Sequence, residues 1–180
     1  MSMKRQLPVE AYGNLAATND PERALACDSL RRGAVARLSV VRPGGGLLLT
    51  NVLFVCVGNQ GRSVMAERLF REAAGGAHQA RSAGAAPGAE VHEVAVASLA
   101  EVGIDASDHV PRKLDDEMIE WADVIVAACD GVCPVVPGKR NENWHLPDPM
   151  GRPLAEVRVF RDDIKRRVDT LLDELGPATA

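Results

Sequence analysis

Apolar residues fall into two alternating patterns along this chain, unbroken runs and helical repeats. The stretch "LLLTNVLFVCV" (47–57) is apolar almost throughout, as expected of a strand covered on both faces within a parallel sheet. From Ser63 the spacing changes, and Met65, Leu69 and Phe70 share one face of a helix that Gly75 and Gly76 should stop. A short strand at Arg81 to Ala83 ends at Gly84, and a helix from about Val91 to Val102 ends at Gly103. "LDDEMIEWA" (114–122) predicts a third helix, with acids in its first turn that suit the helix dipole. "DVIVAAC" (123–129) predicts another strand, followed by a long loop holding Pro134, Pro137, Pro147 and Pro149. The last helix spans about Leu154 to Leu175, with Phe160, Ile164, Val168, Leu171, Leu172 and Leu175 on one face. Strands alternating with helices argue for an α/β fold built on a parallel sheet with right-handed crossovers.

Upstream the pattern is weaker. Asn19 and Asp20 before Pro21 predict a helix start, and that helix would run to about Leu38. "RPGGG" (42–46) then reads as a linker. The chain therefore divides into an extension at residues 1–46 and a domain at residues 47–180.

Composition narrows the possible functions. A chain of 180 residues is one domain by default, and a net charge of −4 supplies no global field to attract nucleic acid or an anionic membrane. An anionic substrate would have to be held by local groups. No stretch reaches the length of an apolar membrane helix. The N-terminal "MSMKRQLPVEAYGN" has no apolar core of a secretory signal, so the expected location is the cytoplasm. The four cysteines, Cys27, Cys56, Cys129 and Cys133, are too few and unevenly spaced for a disulfide scaffold. Their spacing to His145 suits no zinc site, so no metal is expected.

The chemistry concentrates in "VLFVCVGNQGRS" (52–63). Cys56 ends a buried strand, and the turn through Val57, Gly58, Asn59, Gln60 and Gly61 leads into a helix N-terminus. Backbone N–H groups in such a turn converge on one point, with the helix dipole behind them. Gly58 and Gly61 are expected to supply the backbone freedom this nest requires. Arg62 adds a planar fork that grips two oxygens of a tetrahedral oxyanion. The same field favours a thiolate at Cys56, and Ser63 can donate a hydrogen bond to it. A buried structural cysteine before a capping turn would not need Cys, Gly, Arg and Ser in this register.

The Cys-x5-Arg-Ser loop, with Asp148-Pro149 far downstream, resembles the low-molecular-weight protein tyrosine phosphatase superfamily over about residues 50–176. That superfamily includes a class of arsenate reductases. The resemblance implies a single three-layer α/β domain, with an open parallel sheet of about four strands flanked by helices. The phosphatase branch typically carries Pro after the loop serine and aromatics after Asp-Pro. Here Val64 follows Ser63, Met150-Gly151 follows Asp148-Pro149, and the sole tyrosine, Tyr12, lies in the extension. "CDGVCPVVPGKRNENWHLPDPMG" (129–151) is instead similar to the arsenate reductases. The step from Cys129 to Cys133 and "VPGKR" resemble the actinobacterial form in particular, whose co-substrate is the small thiol mycothiol.

The resemblance implies arsenate as substrate, with phosphate or sulfate as mimics and no bound cofactor. Cys56 would attack arsenic and Asp148 would protonate the departing oxygen. The second thiol would be mycothiol, recycled by a glutaredoxin-like or thioredoxin-like protein, or Cys129 with Cys133 resolving. The external thiol is the expected main route. A phosphatase would use Cys56, Arg62 and Asp148 on a phosphate ester without a second thiol. A non-catalytic oxyanion sensor would leave that set idle. Asn59, Glu67 and Ser82 match potassium-binding positions of some related reductases, but the remaining acid is missing. Lys113 is expected to replace that charge, leaving no potassium site. Trp144 is expected to pack the Asp148 loop, His145 to be surface, and Cys27 to have no catalytic role.

Overall fold

The computed structural model describes residues 49–129 and 136–176. The expected helix at 21–38, the linker, Cys27 and Cys133 lie outside the described residues. Among the described residues, four strands and four helices follow in the order β1 (Asn51–Cys56), α1 (Arg62–Ala74), β2 (Gln79–Gly84), α2 (Glu93–Ala100), α3 (Asp116–Trp121), β3 (Val124–Ala127), β4 (Arg140–Asn143) and α4 (Leu154–Leu175). All pairings are parallel and the strand order is β2-β1-β3-β4.

The apolar run of β1 has a direct structural reason. Successive side chains of a strand point to opposite faces. Val52, Phe54 and Cys56 join the core formed with α1, α2 and α4, whereas Leu53 and Val55 join Leu114, Ile119 and Val136 beside α3. Helices thus cover both faces, giving the three layers expected. Phe54 is the centre of the larger core, with its ring centroid 5.7 Å from Phe70 and 5.5 Å from Trp144. Trp144 therefore packs on β1, in one core cluster with Leu146.

The helix ends follow their local chemistry. Gly75 takes φ 54° at the end of α1, where a side chain would be strained. Asp115 caps α3, its carboxylate accepting the Met118 N–H at 2.8 Å. In α4 the buried line is Val157, Arg161, Ile164, Val168 and Leu171, and Phe160, Leu172 and Leu175 flank it half-buried. Arg161 is tolerated there because its guanidinium donates to Ser98 O at 2.8 Å and to Glu101 at 3.2 Å.

One strand departs from the expected loop. β4 reads Arg-Asn-Glu-Asn and is largely exposed. An edge strand with a polar sequence carries no alternating apolar signal. Among the described residues, no helix is long and apolar enough to cross a membrane.

Candidate functional site

Cys56 is the last residue of β1 and is buried, and Arg62 is the first residue of α1. The five residues between them place the loop at the carboxyl end of the sheet, where open α/β folds bind ligands. The Cys56 Sγ accepts the Asn59 N–H at 3.2 Å and lies 3.0 Å from Ser63 Oγ. Ser63 Oγ itself accepts from Asn59 Nδ2 at 2.9 Å, which leaves its own hydrogen for the sulfur.

Asn59 organises the loop. It is fully buried, and its φ of 49° lies in the left-handed region that Asn tolerates better than most residues. Its amide nitrogen donates to Ser63 and, at 3.0 Å, to Ser82. Its carbonyl accepts the Arg112 N–H at 2.8 Å and His109 Nε2 at 3.1 Å. A backbone N–H can only donate, so the amide orientation is fixed. Ser82 Oγ donates a hydrogen bond to Glu67 Oε2 at 2.7 Å, and His109 Nδ1 lies 3.7 Å from the same oxygen. A buried chain of polar groups thus runs from beneath Cys56 to α1 and the 104–113 segment.

Two expectations are corrected here. The loop glycines do not take positive φ; Asn59 does. What requires glycine at 61 is space, because a Cβ there would lie 2.6 Å from Pro149 Cγ. Gly84 has the same role from β2, since a Cβ would meet Val57 O at 2.6 Å and Asn59 N at 2.9 Å. The base facing Asn59 and Glu67 is His109, while Lys113 is exposed. Burial pushes the His109 pKa down, and the Glu67 carboxylate partly opposes that shift. His109 was not singled out by its sequence, because an irregular segment has no period to reveal which side chain turns inward.

Asp148 lies over the cradle. Its Oδ2 accepts from Arg62 Nη2 at 2.6 Å, and Oδ1 accepts the Met150 N–H at 3.0 Å. Arg62 Nη1 also reaches Leu146 O at 3.4 Å. Pro149 is buried against Gly61, which seats the Asp148 loop on the anion loop. His145 is exposed, as expected. Cys129 is buried and unbridged. It follows β3, where Ala127 pairs with Val55 and the Ala128 N–H donates to Val55 O at 2.7 Å. The two described cysteines therefore lie at the carboxyl ends of neighbouring strands. Among the described residues, no three His, Cys, Asp or Glu side chains group as metal ligands. A separate groove of about 630 Å³ lies behind the loop, along the β2 edge between Arg68, Arg81, His109 and Arg112.

A family model described as low-molecular-weight phosphotyrosine protein phosphatase matches residues 51–179. The chain belongs to this family. It is similar to arsenate reductase 2 of Staphylococcus haemolyticus, 34% identical over 126 residues, covering 66% of this chain and 93% of that protein. Among solved structures, arsenate reductase from Archaeoglobus fulgidus is 37% identical with a TM-score of 0.60, covering 67% of this chain and 97% of that one. A thioredoxin-dependent arsenate reductase from Corynebacterium glutamicum is 33% identical with a TM-score of 0.59, covering 71% of this chain. The match spans only 61% of the Corynebacterium protein.

Proposed function

We propose that this member of the family is an arsenate reductase. The observation that carries this reading is the pair of buried thiols at the ends of β1 and β3, one of them inside the anion loop. Ester hydrolysis uses one thiol, whereas reduction of arsenate needs two electrons from two thiols.

In the proposed reaction, the loop N–H groups and Arg62 hold the arsenate oxygens, and Cys56 attacks arsenic as a thiolate. A sulfur–arsenic bond forms while one oxygen leaves as water, its proton supplied by Asp148. Ser63 and the Asn59 N–H hold Cys56 Sγ in place for that attack. A second thiolate then attacks Cys56 Sγ. A disulfide forms, the electron pair of the sulfur–arsenic bond goes to arsenic, and arsenite departs. Cys129 is the internal candidate for that second thiol. The thioredoxin-dependent relative supports this route, with a thioredoxin-like dithiol restoring the enzyme. Val57 and Met150, on the two loops that frame the cradle, are exposed. That opening also suits a small external thiol such as mycothiol, which the sequence resemblance implied.

Aryl phosphates are disfavoured by where the aromatic residues sit. Phe54, Phe70 and Trp144 are in the core, Phe160 packs against it, and Trp121 lies beneath the Arg81 guanidinium. None of these flanks the cradle to receive a phenyl ring.

Arsenite formation by the full chain tests the proposal, with thioredoxin, thioredoxin reductase and NADPH in one arm and mycothiol with a glutaredoxin-like partner in the other. Turnover is expected in the thioredoxin arm and should be lost in Cys129→Ser. Turnover confined to the mycothiol arm would replace the internal relay with the external thiol. No arsenite in either arm would reject the reductase reading.

A further inference from the structure

β2 is an edge strand, and its outer side is only partly used. The Gln79 N–H donates to Thr50 O and the Ala85 N–H to Cys56 O, so the odd-numbered residues turn toward β1. The even-numbered residues turn outward. Gly84 is paired on that side, donating to Arg112 O at 2.8 Å and accepting the Leu114 N–H at 2.9 Å. The next donor in line, the Arg112 N–H, is taken by Asn59 Oδ1 at 2.8 Å, and the pairing ends there. Ala80 and Ser82 therefore face the groove with one N–H and one C=O each, and among the described residues these four groups have no partner. Ser82 is buried, and buried backbone groups are nearly always paired.

The groove of about 630 Å³ along this edge is lined with positive charge on both faces of the strand. Arg68 and Arg71 reach it from α1, on the face of Ala80 and Ser82. Arg81 lies on the other face, its guanidinium 4.2 Å above the Trp121 ring, and Arg112 adds a fourth. Two carboxylates oppose them, Asp108 on Arg68 at 2.7 Å and Glu67 on Arg71 at 3.3 Å. Arg81 and Arg112 make no ion pair among the described residues, and Arg68 Nε is buried without a hydrogen-bond partner. A chain of net charge −4 thus keeps a positive surplus at one sheet edge.

We propose that the β2 edge docks an extended acidic segment of another protein, which adds a strand at Ala80 and Ser82 and sets carboxylates against the arginines of both faces. The paired donors and acceptors select a peptide, because a free polyanion would leave both carbonyls facing its own charge. The arginines select its sign. They also repel a second copy of the same edge, as charged edge strands do. Residues 1–46 carry seven Lys or Arg against four Asp or Glu, so the chain's own extension has the wrong charge to fill the groove. The site lies apart from the anion loop and does not depend on the arsenate reading.

The probe is a capped peptide, Thr-Glu-Glu-Thr-Glu-Glu-Thr, titrated into the isotope-labelled full chain at low ionic strength. Amide exchange followed by NMR reads the geometry. The Ala80 N–H should become protected in the complex, while the Arg81 N–H, which already turns toward β1, should exchange as before. Arg71→Gln and Arg81→Gln, one from each face, should each weaken binding about two- to fivefold. The Arg71→Glu, Arg81→Glu double variant should instead prefer the peptide with Lys in place of Glu. A fully N-methylated Glu peptide, which keeps the charge and loses the donors, should not bind. Binding of that peptide or of tripolyphosphate as tightly as the parent peptide, with Ala80 exchange unchanged, would reduce the groove to a plain anion site and overturn the proposal. Equal binding of the Glu peptide and its Gln counterpart would overturn the selection by charge. No binding of the Glu peptide would leave the arginines as guards of an unused edge.

Discussion

Asn59 uses both amide hydrogens and its carbonyl inside the protein, toward Ser63, Ser82, Arg112 and His109. Its neighbours therefore hold the 56–62 loop through Asn59. His109 is the titratable member of that set. Burial lowers its pKa, so between the folded value and the unfolded value near 6.5 the folded state binds fewer protons. Its contribution to stability is present above that range and is lost as pH falls through it. The urea midpoint of the parent should therefore drop more steeply from pH 7 to pH 5.5 than that of His109→Gln, whose amide can still donate to Asn59. Parallel slopes would mean that His109 is not the group responsible. For Asp148, removal of a general acid costs about 10²- to 10⁴-fold in rate. Asp148→Asn should show that loss in kcat at saturating arsenate, and an unchanged single-turnover rate would remove Asp148 from the chemistry. Cys56, Arg62 and Asp148 were legible in the sequence because their types and spacing are chemically restrictive. His109 and the positive φ at Asn59 were not, since both depend on the path of the loops.

At the scale of elements, the two glycine contacts act on different halves of the site. Gly84 on β2 supports the back of the anion loop, and Gly61 at the start of α1 receives Pro149 of the Asp148 loop. Gly84→Ala presses a methyl against backbone, so its main effect should be weaker sulfate binding, about tenfold or roughly 1.4 kcal/mol. Gly61→Ala pushes against a side chain on a separate loop, so it should lower kcat more than it weakens sulfate binding. Equal effects of both variants on binding and on kcat would mean that the two loops move as one unit. Elements with strong apolar patterning were readable in advance: β1, because both its faces are covered, and α4, because its repeat is long. β4 was not, since Arg140 to Asn143 hold their place through pairing with β3 and bury little themselves.

At the scale of the sheet, the pairing of β1 with β3 brings their carboxyl ends side by side. The α/β class followed from the strand and helix patterns and the three-layer arrangement from the family resemblance, and the order β2-β1-β3-β4 places β1, which ends in Cys56, and β3, which Cys129 follows, in the middle. Sequence spacing alone could not reveal that Cys129 follows the strand paired with the one ending in Cys56, because 73 positions separate them and only the pairing of β1 with β3 relates them. The central claim, that this site reduces arsenate rather than hydrolysing esters, is tested most directly by measuring kcat/KM for both reactions on one preparation. Arsenite release is followed with the competent thiol donor, and aryl phosphate hydrolysis is followed under the same conditions, each also in Cys56→Ser. Arsenate reduction should dominate, and Cys56→Ser should abolish it. Efficient aryl phosphate hydrolysis with no arsenite from any donor, or full arsenate turnover in Cys56→Ser, would contradict it.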